Sequence, residues 1–170
     1  CEFGSYHMNP EYGILEVLDR NNQPVKPGEL GDFVCTGFTN KAMPLIRYRI
    51  GDMGILSGEK CKCGRHFPVV ETIFGRNDEV FITPDGRYIG RLDPVFKGVK
   101  NTIKEAQIVQ ELKDHIAVYI VRGQGYQDSD GDYIIHELKK RVGTNIEYSV
   151  VYVDSIPRTK NGKFRAVINR

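Results

Sequence analysis

Several things are scarce or missing in this 170-residue chain, and each absence removes a class of function. An excess of one charge is missing: 24 lysines and arginines stand against 22 aspartates and glutamates, a net charge of +2. That leaves no electrostatic footprint for nucleic acid or for an anionic membrane surface. No apolar run approaches a membrane span, and no basic-then-apolar leader reads as a secretion signal. There is no internal repeat, no low-complexity tract and no nucleotide loop of the common kinds; Gly123-Gln124-Gly125 does not complete a G-x-G-x-x-G, and no Walker-type run exists. With only four cysteines the chain is no disulfide scaffold. An initiating methionine is also absent, and a start at Cys1 within structured-looking sequence raises the expectation of a fragment. What is present is ordinary for a globule: 40% hydrophobic and 27% charged residues, and enough length to bury a core in one domain or two small ones.

The pattern changes along the chain. Residues 1–75 read as strands and turns, with no helix signal of useful length. Gly13–Leu18 and Phe33–Phe38 are β-prone runs separated by the turn-rich Asn21–Gly28. Leu45–Ile50 alternates, which predicts a half-buried strand with Ile46, Tyr48 and Ile50 inward, ending at Gly51-Asp52. After Gly75-Arg76-Asn77-Asp78 the reading becomes mixed. Glu79–Thr83 and Arg87–Gly90 flank Pro84-Asp85-Gly86 as a hairpin, and Gln107–Gln110, Ile116–Val121 and Glu147–Val153 read as strands. Ile134, Leu138 and Val142 recur every four residues, which predicts a helix over Asp130–Val142. Asp128, Ser129 and Asp130 are available to cap it, and Gly143 to stop it. The expectation is an α+β module of roughly 90 residues, with a hinge near 75–78.

Three motifs carry chemistry. In Tyr48-Arg49-Ile50-Gly51-Asp52 a carboxylate on a glycine turn can accept both hydroxyls of a sugar diol. In Gly75-Arg76-Asn77-Asp78 the arginine offers a planar fork of donors for phosphate or ribose oxygens. In Pro157–Arg165 the Asn161-Gly162 turn presents Lys163 at a loop tip, in a stretch where five basic residues follow Asp154. Such a lysine can stabilise charge developing between a carboxylate and a phosphate. Each motif alone is as well read as a capped turn, a surface loop or a solvated tail.

In this order the three resemble the core motifs of the adenylate-forming enzymes, the superfamily of acyl-CoA synthetases, nonribosomal adenylation domains and luciferases. Pro27-Gly-Glu-Leu-Gly-Asp32 and Ala42-Met-Pro-Leu-Ile-Arg-Tyr-Arg-Ile-Gly-Asp52 look most like the phenylacetate–CoA ligase branch, which includes capsule-biosynthesis relatives. The resemblance implies an α+β fold in which residues 1–75 are the β-rich, barrel-like end of the large ligase domain and 76–170 a small mobile lid. It implies that Tyr48 and Asp52 serve the nucleotide, with Asp52 on the ribose hydroxyls, and that Arg76 contacts ribose or phosphate. Asp78 would be the hinge, and Lys163 would assist adenylation. The implied partners are a small-molecule carboxylic acid, ATP with Mg and CoA, with no nucleic acid and no membrane. Phe81–Gly90 departs from the family's glycine-containing segment, so the residue facing CoA is unassigned. The family's Ser/Thr/Gly-rich phosphate loop and its Tyr-Gly-x-x-Glu segment are missing, which implies that this chain alone is inactive.

Cys1, His7, Cys61 and Cys63 form a Cys₃His set suited to a tetrahedral, structural zinc, with His66 as second choice for the imidazole. Cys35, centred in an apolar strand, reads as a buried free thiol; His115 and His136 read as surface or core. Without secretion signals disulfides are disfavoured and a cytoplasmic location is expected. The competing reading is a non-enzymatic, zinc-stabilised binding or regulatory module.

Overall fold

The computed structural model describes residues 1–99 and 101–170, and its chain divides into two compact units, Cys1–Asn77 and Asp78–Arg170. The first is a five-stranded antiparallel sheet built from β1 (Tyr6–His7), β2 (Gly13–Leu18), β3 (Leu30–Gly37), β4 (Tyr48–Leu56) and β5 (Val69–Arg76), in the order β1-β5-β4-β3-β2. Its core is small. Val17, Phe33 and Val70 are buried, with Leu15, Val25, Ile50, Leu56 and Ile73 packed partly against them. Phe33 lies over Gly54, where a Cβ would fall 2.1 Å from the ring, so the sheet closes there only because β4 carries a glycine.

β4 corrects the sequence reading. The strand does not end at Gly51-Asp52 but runs through them to Leu56, and Ile46 and Tyr48 face solvent, 73% and 52% exposed. Two effects explain the change. Gly51, at φ +85°, is a distortion within the strand instead of its end. The pairing of β3 with β4 shifts register between Asp32 and Val34, and a bulge of that kind re-aims the side chains beyond it.

In the second unit, β6 (Phe81–Ile82) and β7 (Tyr88–Ile89) form the hairpin expected around Pro84-Asp85-Gly86. A four-stranded sheet then combines β8 (Ile103–Leu112), β9 (His115–Arg122), β10 (Glu147–Tyr152) and β11 (Val167–Asn169), ordered β10-β9-β8-β11. β8 and β9 are antiparallel; β10 and β11 run parallel to β9 and β8 respectively. The helix α1 (Asp128–Val142) connects β9 to β10. Ile134, Leu138 and Val142 bury its apolar stripe in one cluster with Ile108, Ile116, Val118 and Ile120. The cap differs from expectation: Gln127 is the N-cap, its side chain taking the Asp130 backbone while the Asp130 carboxylate accepts from the Gln127 N–H. Mixed α+β architecture, mostly sheet, is thus what the sequence pattern called for.

Candidate functional site

The first cluster is made by the register of β4 and β5. Asp52 and Arg76, 24 positions apart in sequence, are direct cross-strand partners in that ladder. Arg76 donates from Nη1 to the Ile50 carbonyl at 2.9 Å, and its guanidinium lies 3.2–3.3 Å from the place a Cβ on residue 51 would occupy. Glycine at 51 therefore supplies both the left-handed backbone and the space for the arginine. The Asp52 carboxylate makes no hydrogen bond or ion pair among the described residues, so both oxygens are open to donors. Tyr48 begins the same strand, opposite Cys35. Cys35 is half-buried, and burial pushes its thiol up, with the Asp52 charge adding to the effect.

Beside this pair lies a group that sequence reasoning missed. Asp32 is buried on β3, ion-paired with Arg49 and accepting from the Asn77 amide at 3.4 Å; Arg49 also donates to Asn22 Oδ1 at 2.6 Å. A carboxylate inside an apolar strand was the available signal, because burial of a charge calls for a partner.

Lys163 sits at the tip of a tight loop in the second unit. Thr159 accepts the Gly162 amide at 2.8 Å, donates its own amide to the Lys163 carbonyl at 3.0 Å and accepts the Lys163 amide on Oγ1 at 3.0 Å. Gly162, at φ +75°, makes the turn possible. The ammonium is exposed and has no carboxylate within ion-pair distance among the described residues. Asp78, in a 3-10 turn over Asn77–Glu79, pairs with Arg165 at 2.5 Å.

The third cluster draws together all four expected zinc ligands. The donor atoms of Cys1, His7, Cys61 and Cys63 lie within 4.8 Å of one another. Cys1 and Cys61 sulfurs are 3.7 Å apart, and Cys63 Sγ is 3.4 Å from His7 Nε2. A tetrahedral zinc with ordinary bond lengths sets sulfurs about 3.8 Å apart and sulfur–nitrogen pairs about 3.6 Å apart, so the donor set fits that ion. His7 Nδ1 lies 3.3 Å from the Phe67 carbonyl, which can only accept; the proton therefore sits on Nδ1 and Nε2 is left to bind. Ser5, not singled out from the sequence, lies 3.3 Å from Cys61 Sγ. Its hydroxyl, followed by the Cys63 backbone, brings the Cys61 thiol down to about 6. His66, the second choice, is exposed and outside the group. His115 is held by Ser149 at 3.0 Å, and His136 lies on the exposed side of α1.

The fold is that of the C-terminal region of adenylate-forming CoA ligases. A 2-hydroxyisobutyryl-CoA ligase in an open conformation with 2-HIB-AMP and CoA matches at TM-score 0.54 and 25% identity, over 92% of this chain and 36% of that one. Acetoacetyl-CoA synthetase from Streptomyces lividans shares the fold at TM-score 0.55 and 19% identity, over 91% of this chain and 25% of its own. The family model described as the CapK C-terminal domain matches residues 81–170, and the chain belongs to that family. Protein CapK of Staphylococcus aureus is 33% identical over 173 residues, 98% of this chain and 36% of that protein. Phenylacetate-coenzyme A ligase of Thermus thermophilus is 28% identical over 187 residues, 96% of this chain and 42% of that protein. The chain thus spans well under half the length of these relatives. Among the described residues no helix is long and apolar enough to cross a membrane.

Proposed function

We propose that this chain is the C-terminal part of an AMP-forming acid–CoA ligase, with residues up to Asn77 belonging to the large domain and Asp78 onward forming the lid. That boundary falls two residues later than the 75/76 division expected from sequence and is supported by the two compact units. The carboxylate of a small acid attacks the α-phosphorus of Mg-bound ATP, pyrophosphate leaves, and the acyl-AMP is then attacked by the CoA thiol with release of AMP. The observation that carries this reading is the cross-strand pairing of Asp52 with Arg76. It sets a bidentate acceptor beside a planar donor, the combination a ribose–phosphate unit needs. Asp52 takes the two ribose hydroxyls and Arg76 a ribose or phosphate oxygen, with Tyr48 alongside. Lys163, an exposed cation on a pinned loop, neutralises charge where carboxylate and α-phosphate join. Asp78 serves as the hinge between the two half-reactions. The exposure of Tyr12, Ile14, Met43 and Ile46 on the first unit, each half or more, supports a place within a larger body, and on this reading the isolated chain is inactive. Zinc on Cys1, His7, Cys61 and Cys63 would be structural, because four protein ligands leave no open position.

The test is Lys163→Ala in the longer ligase, followed by ATP–pyrophosphate exchange. Loss of exchange by at least about 10²-fold is expected for a group acting on developing charge; unchanged exchange removes Lys163 from the reaction.

A further inference from the structure

Resting on the reading of Lys163 and Asp78 above, we propose that Arg165 is a positioning residue that ties the hinge carboxylate of Asp78 to the loop carrying Lys163. The pivot then falls on the single peptide link between Asn77 and Asp78.

The hold on Asp78 has two points. One Arg165 nitrogen, Nη2, lies 2.5 Å from Asp78 Oδ2 and 3.2 Å from the Asp78 carbonyl, so side chain and backbone of the same residue are gripped together. Arg165 is itself fixed. Its carbonyl accepts from Gln107 Nε2 at 2.7 Å, and Gln107 is buried on β8. The next carbonyl, of Ala166, accepts from the Ile108 amide at 2.8 Å as the chain enters β11. The other leg of the lysine loop is held from the same strand: Arg158 pairs with Glu105 at 2.5 Å and stacks over Phe164 at 4.5 Å. Glu105 and Gln107 are two apart on β8 and share a face. One strand face therefore anchors both legs of the loop, and Arg165 extends that anchorage to Asp78. Asn169 adds a second tie, donating to the Val80 carbonyl at 2.7 Å.

The neighbour of Asp78 is tied the other way. Asn77 donates to buried Asp32 in the first unit, and the boundary between the compact units lies between these two residues. A hinge works when few residues absorb the backbone change. Here consecutive side chains are committed to different units, which leaves one link to do so. Rotation at that link carries Asp78, Arg165 and Lys163 as one body.

The first experiment uses this chain, with amide hydrogen exchange at Thr159, Gly162 and Lys163 as the readout. Arg165→Met and Asp78→Asn should each speed exchange at those amides by about 3- to 10-fold, as expected for loss of one local restraint, and the double variant no more than either single. Retained protection across β8 and β9 shows that the variants are folded. Unchanged loop exchange in both singles, or a double variant whose effect is the product of the two, overturns the proposal. The second experiment uses the longer ligase: Arg165→Met should lower kcat for pyrophosphate exchange about tenfold with KM for the acid unchanged, and Arg165→Lys should restore part of it. Lys163→Ala is the control. If it leaves exchange intact, the reading of Lys163 fails while the loop measurements still judge the tie. If it abolishes exchange but Arg165→Met changes neither kcat nor loop protection, the tie fails alone.

Discussion

Removing zinc should loosen the first unit far more than the second. The first unit has 77 residues, and its buried hydrophobics among the described residues are Val17, Leu18, Phe33, Val34 and Val70, whereas the second buries a cluster that includes Phe81, Leu92, Ile108, Ile116, Ile120, Ile134 and Leu138. A unit of that length ordinarily has roughly 4–12 kcal/mol of stability, and so small a core needs a staple. Residues 57–68, which carry Cys61 and Cys63, have no regular structure, and the ligand cluster ties that loop to the N-terminal segment alongside the Arg65–Glu2 ion pair and the Met8 N–H to Pro68 carbonyl bond. Two donor pairs already stand at 3.7 and 3.4 Å, within a few tenths of an ångström of tetrahedral spacing, and all four donor atoms lie within 4.8 Å of one another, so closing on the ion asks for movements of about an ångström or less. Free zinc at 100 times its Kd would add about 2.7 kcal/mol, a substantial fraction of that total. The assay is metal content of the purified chain, followed by urea unfolding with and without a chelator. One equivalent of zinc is expected, with a lowered first-unit midpoint after chelation. Cys61→Ser should lose the metal, and Cys35→Ser, outside the cluster, should keep it. Less than about half an equivalent, or a midpoint indifferent to the chelator, refutes the reasoning.

Other outcomes follow from the same geometry. In the zinc-free chain, alkylation of Cys61 should rise with pH about a midpoint near 6, because its thiol is brought down to about 6; as pH falls through 6 the thiolate is protonated, and zinc affinity should fall with it. Cys35, whose thiol burial pushes up, should react only at far higher pH, and mass spectrometry of the labelled chain separates the two. Leu138→Ala, at a fully buried helix position, should destabilise the second unit by about 2–5 kcal/mol in urea unfolding while leaving the first-unit transition in place. Gly51→Ala imposes a side chain at φ +85°, at a cost of about 1–2 kcal/mol, and pushes on the Arg76 guanidinium. The first-unit midpoint should fall, and in the longer ligase KM for ATP should rise; unchanged KM would detach Arg76 from the nucleotide.

The parts of the fold legible in the sequence are those whose signal is local. The helix declared itself through Ile134, Leu138 and Val142 at one face, and the β6–β7 hairpin through Pro84-Asp85-Gly86, because periodicity and turn chemistry act over a few residues. β4 was misjudged because alternation states only that one face is buried, not which neighbour buries it; a register shift in β3 and a left-handed glycine decided that from outside the segment. β1 and β11, of two and three residues, are too short for any pattern and exist because a longer strand is there to pair with. At the candidate site, Cys1, His7, Cys61 and Cys63 were legible as an inventory of metal-binding groups. The preference for His7 over His66 follows from its closeness to Cys1 in sequence, and the pairing of His7 with Val69 sets it beside the segment that carries Cys61 and Cys63. Arg165 escaped notice because a salt bridge leaves no spacing in sequence, whereas Asp32 carried the signal of a carboxylate within an apolar strand.

The proposed chemistry asks for two kinds of order, and the chain supplies them by different means. Holding a ribose needs Asp52 and Arg76 at a constant separation, and the antiparallel pairing that sets Asp52 opposite Arg76 and Met53 opposite Gly75 supplies it at the end of the β4–β5 ladder. Delivering a charge needs Lys163 to be placed at one stage and withdrawn at another, which a ladder residue could not do. The lysine is therefore on a loop, and the loop is stiffened by Thr159 within and by Glu105 and Gln107 from β8. A flexible loop would blur any displacement imposed at Asp78 before it reached the ammonium; a pinned one transmits it. On the proposed reading, rigidity within Asp78–Arg170 is the condition for useful motion at the hinge, and the Arg165–Asp78 pair is where that rigidity would meet the pivot.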